Sequence, residues 1–284
     1  MHAWNTGVLL LLAILLTGIV SQASAESANS TSDFGVIISA PSLGVENLSG
    51  EISAIDILPL LNSSGKIDVR LPESVTIINI EPGQTFSPSA IRPGAEILYI
   101  LTGSAEVTAD DSAANASEGD AILVSAGSVM MVKNLDTDRL TLFSILSAGS
   151  GEKDTNLSLV KRSKDSKPPV TFGNASTSTS FTVHRVYSTF EEALPLSFDL
   201  AIATLPAGNL ISNHYLESGQ LGYVLSGTGN ATIDCVTRQI STGDLTYVPP
   251  GVVQSFAAKD TLQILLVTEP FYNPEKDHSS ESIC

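Results

Sequence analysis

The sequence predicts an all-β protein in which one small antiparallel barrel is used twice in tandem. A strand-and-turn segment recurs at a fixed spacing, the runs between Gly/Pro turns are short and β-branched, and 284 residues are enough for two domains of ordinary size. The first copy reads Ala95-Glu96-Ile97-Leu98-Tyr99-Ile100-Leu101-Thr102-Gly103. The second, 124 residues later, reads Gly219-Gln220-Leu221-Gly222-Tyr223-Val224-Leu225-Ser226-Gly227. Gly119-Asp120 falls on Gly243-Asp244 and Gly127 on Gly251 at the same offset. A repeat this long is a duplicated domain and not a solenoid unit.

In chain order, residues 1–25 read as a signal peptide. Residues 7–20 form an apolar run shorter than the roughly 20 residues of a membrane span, and Ala23-Ser24-Ala25 supplies a small-x-small cleavage pattern. No Lys or Arg precedes the run, so an uncleaved N-terminal membrane anchor stays open as the alternative. Residues 26–66 are an N-terminal extension with lead-in strands and one short helix around Ile55–Leu61. The first barrel spans 67–146. Within it Val75–Ile80, Ala121–Ser125, Val129–Lys133 and Leu140–Leu146 read as strands, and Asp110–Ser117 as a turn-rich hairpin tip. Residues 147–180 form a Gly/Ser/Pro-rich linker whose basic cluster, Lys161, Arg162, Lys164 and Lys167, reads as a solvated face or as a dock on the acidic barrels. The second barrel spans 181–270, with a helical turn near Phe190–Leu194 and strands at Asp199–Leu205 and Leu262–Val267. Residues 271–284 are a polar, loose tail.

Composition narrows the function. Lys plus Arg total 14 against 30 Asp plus Glu, a formal net charge of −16, which argues against nucleic acid or anionic lipid as partners. Asn29, Asn47, Asn62, Asn115, Asn156, Asn174 and Asn230 each begin an N-x-[ST] sequon, as expected of a secreted or cell-surface glycoprotein. Cys235 and Cys284 are the only cysteines, so no disulfide scaffold is implied, although the two can pair in an oxidising compartment.

The pattern (E/Q)-x-x-Y-x-L-x-G, then 15 residues, G-D, then (P/S)-x-G ending seven residues later, resembles the cupin barrel. Two copies make the chain similar to the bicupins, which implies two tandem double-stranded β-helix, or jelly-roll, domains. In metal-dependent cupins the first motif supplies H-x-H-x(3–4)-E and the second another His. Alternate strand residues point the same way, so such a set converges inside the barrel. Carried over here, the first-barrel positions fall on Ala90, Arg92, Glu96 and Met130, and the second-barrel positions on His214, Leu216, Gln220 and Gln254. The first set keeps only its carboxylate, with Arg92 placed to neutralise Glu96 where a cation otherwise sits. The second keeps one imidazole beside two neutral amides, which are poor ligands for transition metals. The expectation is therefore no cofactor; if one is present, it is a single divalent transition metal.

Strand parity points His214, Gln220, Gln254 and Phe256 into the second barrel. Two readings follow: a site for a small polar ligand, a sugar or carboxylic acid, or a polar core in which the amides satisfy each other and His214. Arg92, Glu96 and Met130 mark the equivalent place in the first barrel. Tyr99 and Tyr223 alternate with the inward positions and are expected on the outer sheet face. The leading functional reading is an exported, metal-free, non-catalytic bicupin with a binding or structural, storage-like role. The alternative is a metal-dependent oxidoreductase or lyase, of dioxygenase or decarboxylase type, with a non-standard site in the second barrel. The resemblance also implies a homodimer formed through outer sheets.

Overall fold

The computed structural model describes residues 30–32, 35–39, 46–49, 51–62, 69, 71–88, 91–147, 159–163 and 167–282. The first barrel pairs two sheets. One runs, in spatial order, Leu159–Arg162, Ala121–Val124, Glu96–Thr102, Leu140–Leu146, Ser74–Ile80, Ile52–Asp56 and Glu46–Ser49; the other runs Thr85–Phe86, Met130–Asn134, Ser104–Ala109 and Ser112–Ser117. The second barrel repeats the plan, with the central order Leu245–Val248, Gly219–Ser226, Leu262–Glu269 and Asp199–Leu205 in its larger sheet. Its smaller sheet runs Val236–Ser241, Thr228–Ile233, Gln254–Ala258, Leu210–Leu216 and Asp277–Ser279. All recorded pairings are antiparallel, as hairpin-connected jelly rolls require.

The duplicated landmarks have a local cause. Gly103 and Gly227 close the repeated strand at φ +89° and +87°, where a Cβ is strained, and a Cβ on Gly227 would come within 2.1 Å of the Thr261 carbonyl oxygen. The Gly-Asp pair is a turn device. Asp120 Oδ2 accepts the Ser117 backbone N–H at 2.9 Å and its hydroxyl at 3.3 Å, and Asp244 does the same to Ser241 at 2.8 and 3.1 Å.

Period-two alternation divides each large sheet between two cores. Leu98 and Ile100 fill the first barrel, and Val224 and Ile264 the second. The intervening residues, among them Ile97, Tyr99, Phe143, Leu221 and Leu265, form a third buried cluster that joins the barrels. Tyr99 therefore does lie on the outer sheet face, but that face is covered and the side chain is 3% exposed. Tyr223 packs there too, its ring 5.6 Å from Phe143.

Several loose segments of the sequence reading are ordered. Gly35–Ile38 adds to the edge of Leu245–Val248 in the second barrel, whereas Ile52–Asp56 adds to Ser74–Ile80 in the first. The linker supplies Leu159–Arg162, which adds to Ala121–Val124 in the matching position of the first barrel, so its basic residues dock and are not a free solvated face. Lys161 pairs with Asp120 at 2.8 Å, Arg162 with Glu192 at 2.6 Å, and Lys167 with Glu192; Lys164 lies outside the described residues. The hairpin tip is shorter than expected, because strand resumes at Ser112. The tail carries a strand, Asp277–Ser279, paired with Leu210–Leu216. The lead-in helix runs Ile57–Asn62 and the second helical turn Thr189–Glu192.

Candidate functional site

In the second barrel, the register sets His214 opposite Gln254 and Gln220 opposite Thr268. His214 Nδ1 lies 2.8 Å from the Ser212 carbonyl oxygen, which only accepts, so Nδ1 carries a proton. In the neutral ring Nε2 is then the acceptor, facing the Gln254 amide nitrogen at 3.4 Å. The same Gln254 nitrogen donates to Gln220 Oε1 at 3.0 Å, and Gln220 Nε2 donates to Thr268 Oγ1 at 3.4 Å. The chain of donors and acceptors fixes both amide orientations. It leaves a second Gln220 N–H and the Thr268 hydroxyl proton uncommitted.

These groups border a cavity of about 100 Å³ whose surface is chiefly apolar. His214, Gln220 and Phe256 line it, together with Phe181, Leu266 and Arg185. Gln254 does not line it: fully buried, it sits behind His214 and Gln220 and holds them in place. The sequence-derived group thus comes together at this cavity, three residues lining it and Gln254 behind them.

Other wall residues escaped sequence reasoning. Tyr272 and Asp277 come from the tail, where the Tyr272 hydroxyl donates to Asp277 Oδ2 at 3.0 Å. Arg185 stands on the strand Phe181–Tyr187 and is paired with Glu191. Asp199 is buried in the wall; burial pushes its carboxyl up to about 6, although the Thr189 backbone N–H at 2.6 Å and the Ser188 hydroxyl at 3.3 Å oppose the shift. Its place on the same face of the strand Asp199–Leu205 as Ala201 and Ala203, which also line the cavity, is the signal that could have found it.

In the first barrel the described residues bury Glu96. That side chain is 1% exposed, Arg92 Nε lies 2.9 Å from Oε2, and Ser144 Oγ donates to Oε1 at 2.5 Å. Burial raises the Glu96 pKa, with Arg92 and Ser144 working against it. Met130 packs into the hydrophobic core with Val132, and Ala90 lies outside the described residues. Among the described residues no group of three or more His, Cys, Asp or Glu side chains converges as a metal site would require. The residues present do not fit the transition-metal ion that the cupin resemblance implies. Glu96 already faces a guanidinium, and both nitrogens of His214 have protein partners.

Among the sequons, Asn115, Asn174 and Asn230 are exposed. Asn47 falls in the strand Glu46–Ser49 and Asn62 ends the first helix, while Asn29 and Asn156 lie outside the described residues. Cys235 is disulfide-bonded; Cys284 lies outside the described residues. No described helix is long and apolar enough to cross a membrane.

The family model for the cupin domain matches residues 76–146 and 201–268. Solved structures share the fold at low identity. A protein of Pseudomonas aeruginosa assigned by name as glyoxylate-induced superposes with a TM-score of 0.70 at 12% identity, over 85% of this chain and 91% of that one. A single-residue variant of Bacillus subtilis oxalate decarboxylase gives 0.64 at 15% identity, over 88% and 80%. The protein Ylba from E. coli gives 0.66 at 14%, over 86% and 94%. No curated protein matches the sequence. With a cupin match on each half and both halves folded as jelly-roll barrels, the chain belongs to the cupin superfamily as a bicupin.

Proposed function

We propose that this bicupin is a non-catalytic binding protein, without a metal, whose second barrel takes a small carboxylic acid with an apolar body. The observation that carries the reading is the cavity beside Gln220. Its nearby acceptors, His214 Nε2 and Gln220 Oε1, are engaged by Gln254, whereas a Gln220 N–H and the Thr268 hydroxyl remain to donate. Donors at one end of an apolar cavity suit a ligand that presents only acceptor oxygens. The volume of about 100 Å³ suits a small monocarboxylic acid. We place the protein outside the cytoplasm, as a glycoprotein, on the disulfide at Cys235 and the exposed sequons.

The test is thermal unfolding and calorimetric titration of the secreted protein with acetate, butyrate, valerate and benzoate, alongside its metal content by elemental mass spectrometry. A ligand at about 100 times its Kd stabilises the fold by about 2.7 kcal/mol. That stabilisation is expected for at least one acid and lost in Gln220→Leu. No response to any of the acids, or one equivalent of transition metal that disappears in His214→Ala, would overturn the reading and favour the metal-dependent oxidoreductase or lyase.

A further inference from the structure

A second opening lies at the seam between the barrels, apart from the cavity at Gln220. It has a volume of about 400 Å³ and an evenly mixed polar and apolar surface. One wall is a row of side chains across four strands of the large second-barrel sheet. Thr182 pairs with Thr204, Thr204 with Gln263, and Gln263 with Ser226. Neighbouring strands are about 4.8 Å apart, so the row is roughly 14 Å long. Parity explains its position. Thr204 shares a face with Ile202, and Gln263 with Leu265, so the row continues the apolar inter-barrel face to where the barrels diverge.

The row alternates in hydrogen-bonding sense. Ser226 Oγ donates to Gln263 Oε1 at 3.3 Å, and Gln263 Nε2 donates to Thr204 Oγ1 at 3.3 Å. What remains toward the groove is the Thr204 hydroxyl proton, the second Gln263 N–H and the Ser226 oxygen lone pairs, two donors and one acceptor. Across the opening stand the Tyr99 ring end and the flat Pro168-Pro169 pair. Burial and the nearby carboxylates of Glu118 and Asp120 push the Tyr99 hydroxyl up to about 12, so it is a neutral phenol at ordinary pH. Lys167, Glu118 and His184 also line the opening, and Lys167 is already held by Glu191 and Glu192, so it offers little to an anionic ligand.

From this row we infer that the inter-barrel seam binds a neutral, polyhydroxylated ligand, a short oligosaccharide. Sugar hydroxyls both donate and accept, which matches the mixed row, and their apolar ring faces match the exposed Pro168-Pro169 pair. A peptide adding as a strand needs a sheet edge, whereas this row lies on a sheet face. The groove is within the size range of small-molecule sites.

The experiment is a titration of the full secreted chain with cellotriose, maltotriose and tri-N-acetylchitotriose, each to about 10 mM, a range that detects millimolar affinity. Backbone amide shifts and calorimetry are the readouts. Binding of at least one trisaccharide is expected, with shifts centred on Thr182, Thr204, Ser226 and Gln263. Thr204→Val/Gln263→Leu should weaken it at least tenfold, while Gln220→Leu leaves it unchanged. Binding of none, shifts confined to the His214 cavity, or unaltered affinity in a folded Thr204→Val/Gln263→Leu chain would overturn the inference. If that double variant does not fold, the shift map of the unmodified protein decides.

Discussion

At the scale of single residues, the second-barrel site is governed by what each polar atom has left to give. Gln254 uses one nitrogen on two acceptors, so its role is to hold His214 and Gln220. Replacing it by Leu strands the buried Gln220 Oε1 and the half-buried His214 Nε2, and a loss of about 1 kcal/mol is expected in urea denaturation. Asp199 adds a pH signature. Its folded pKa of about 6 exceeds the ordinary 3.8, so the folded chain keeps the proton longer. Its contribution is therefore lost as pH rises from about 3.8 to about 6, by at most about 3 kcal/mol. Glu96 and Glu269, also raised by burial, act in the same direction. Unfolding free energies at pH 4 and pH 7 should show a smaller drop in Asp199→Asn than in the parent chain. An equal drop in both would refute the assignment.

At the scale of elements, the strand Leu159–Arg162 shows how a charged segment becomes structure. Arg162 pairs with Glu192, donates to the Val186 carbonyl at 2.9 Å and lies 4.6 Å over the Tyr187 ring. The Tyr187 hydroxyl in turn lies 2.6 Å from the Val160 carbonyl and 3.1 Å from the Leu123 N–H. A linker strand thereby fastens the second barrel to the first. Arg162→Ala should cost about 1–2 kcal/mol, since the group is partly screened, and should speed hydrogen exchange at 159–162 before it affects Ser74–Ile80. Uniform loss of protection in both strands would contradict a local fastening role.

At the scale of the whole molecule, the barrels share a buried core that neither completes alone. Phe143 is fully buried there, between its own sheet and Tyr223 of the other barrel. Truncating a buried Phe to Ala typically costs about 3–5 kcal/mol. One calorimetric transition is expected for the parent chain and two for Phe143→Ala, as the barrels uncouple. A homodimer made through these same sheet faces would have to displace the internal pairing. A dimer that keeps it would use other surfaces, and light scattering on Phe143→Ala and parent chains separates the two cases.

Much was legible in the sequence because strand parity and turn chemistry are local. The repeat at Tyr99 and Tyr223, the Gly-Asp turns, and the inward set His214, Gln220 and Phe256 follow from period two and from residues that tolerate positive φ. Arg92 as the partner of Glu96 was legible too, because a buried carboxylate demands a counter-charge within reach. Arg185, Tyr272 and Asp277 were not, since nothing local says that the tail folds back over the mouth of the second barrel. Nor does sequence show that Gly35–Ile38 crosses to the distant barrel, or that Thr182, Thr204, Gln263 and Ser226 line up. Those facts depend on which strands become neighbours, and pairing across tens to hundreds of residues is set by the shared core. Local pattern thus determined the two barrels and the inward residues; tertiary packing alone decided what closes the cavity, what the linker binds, and where the seam opens.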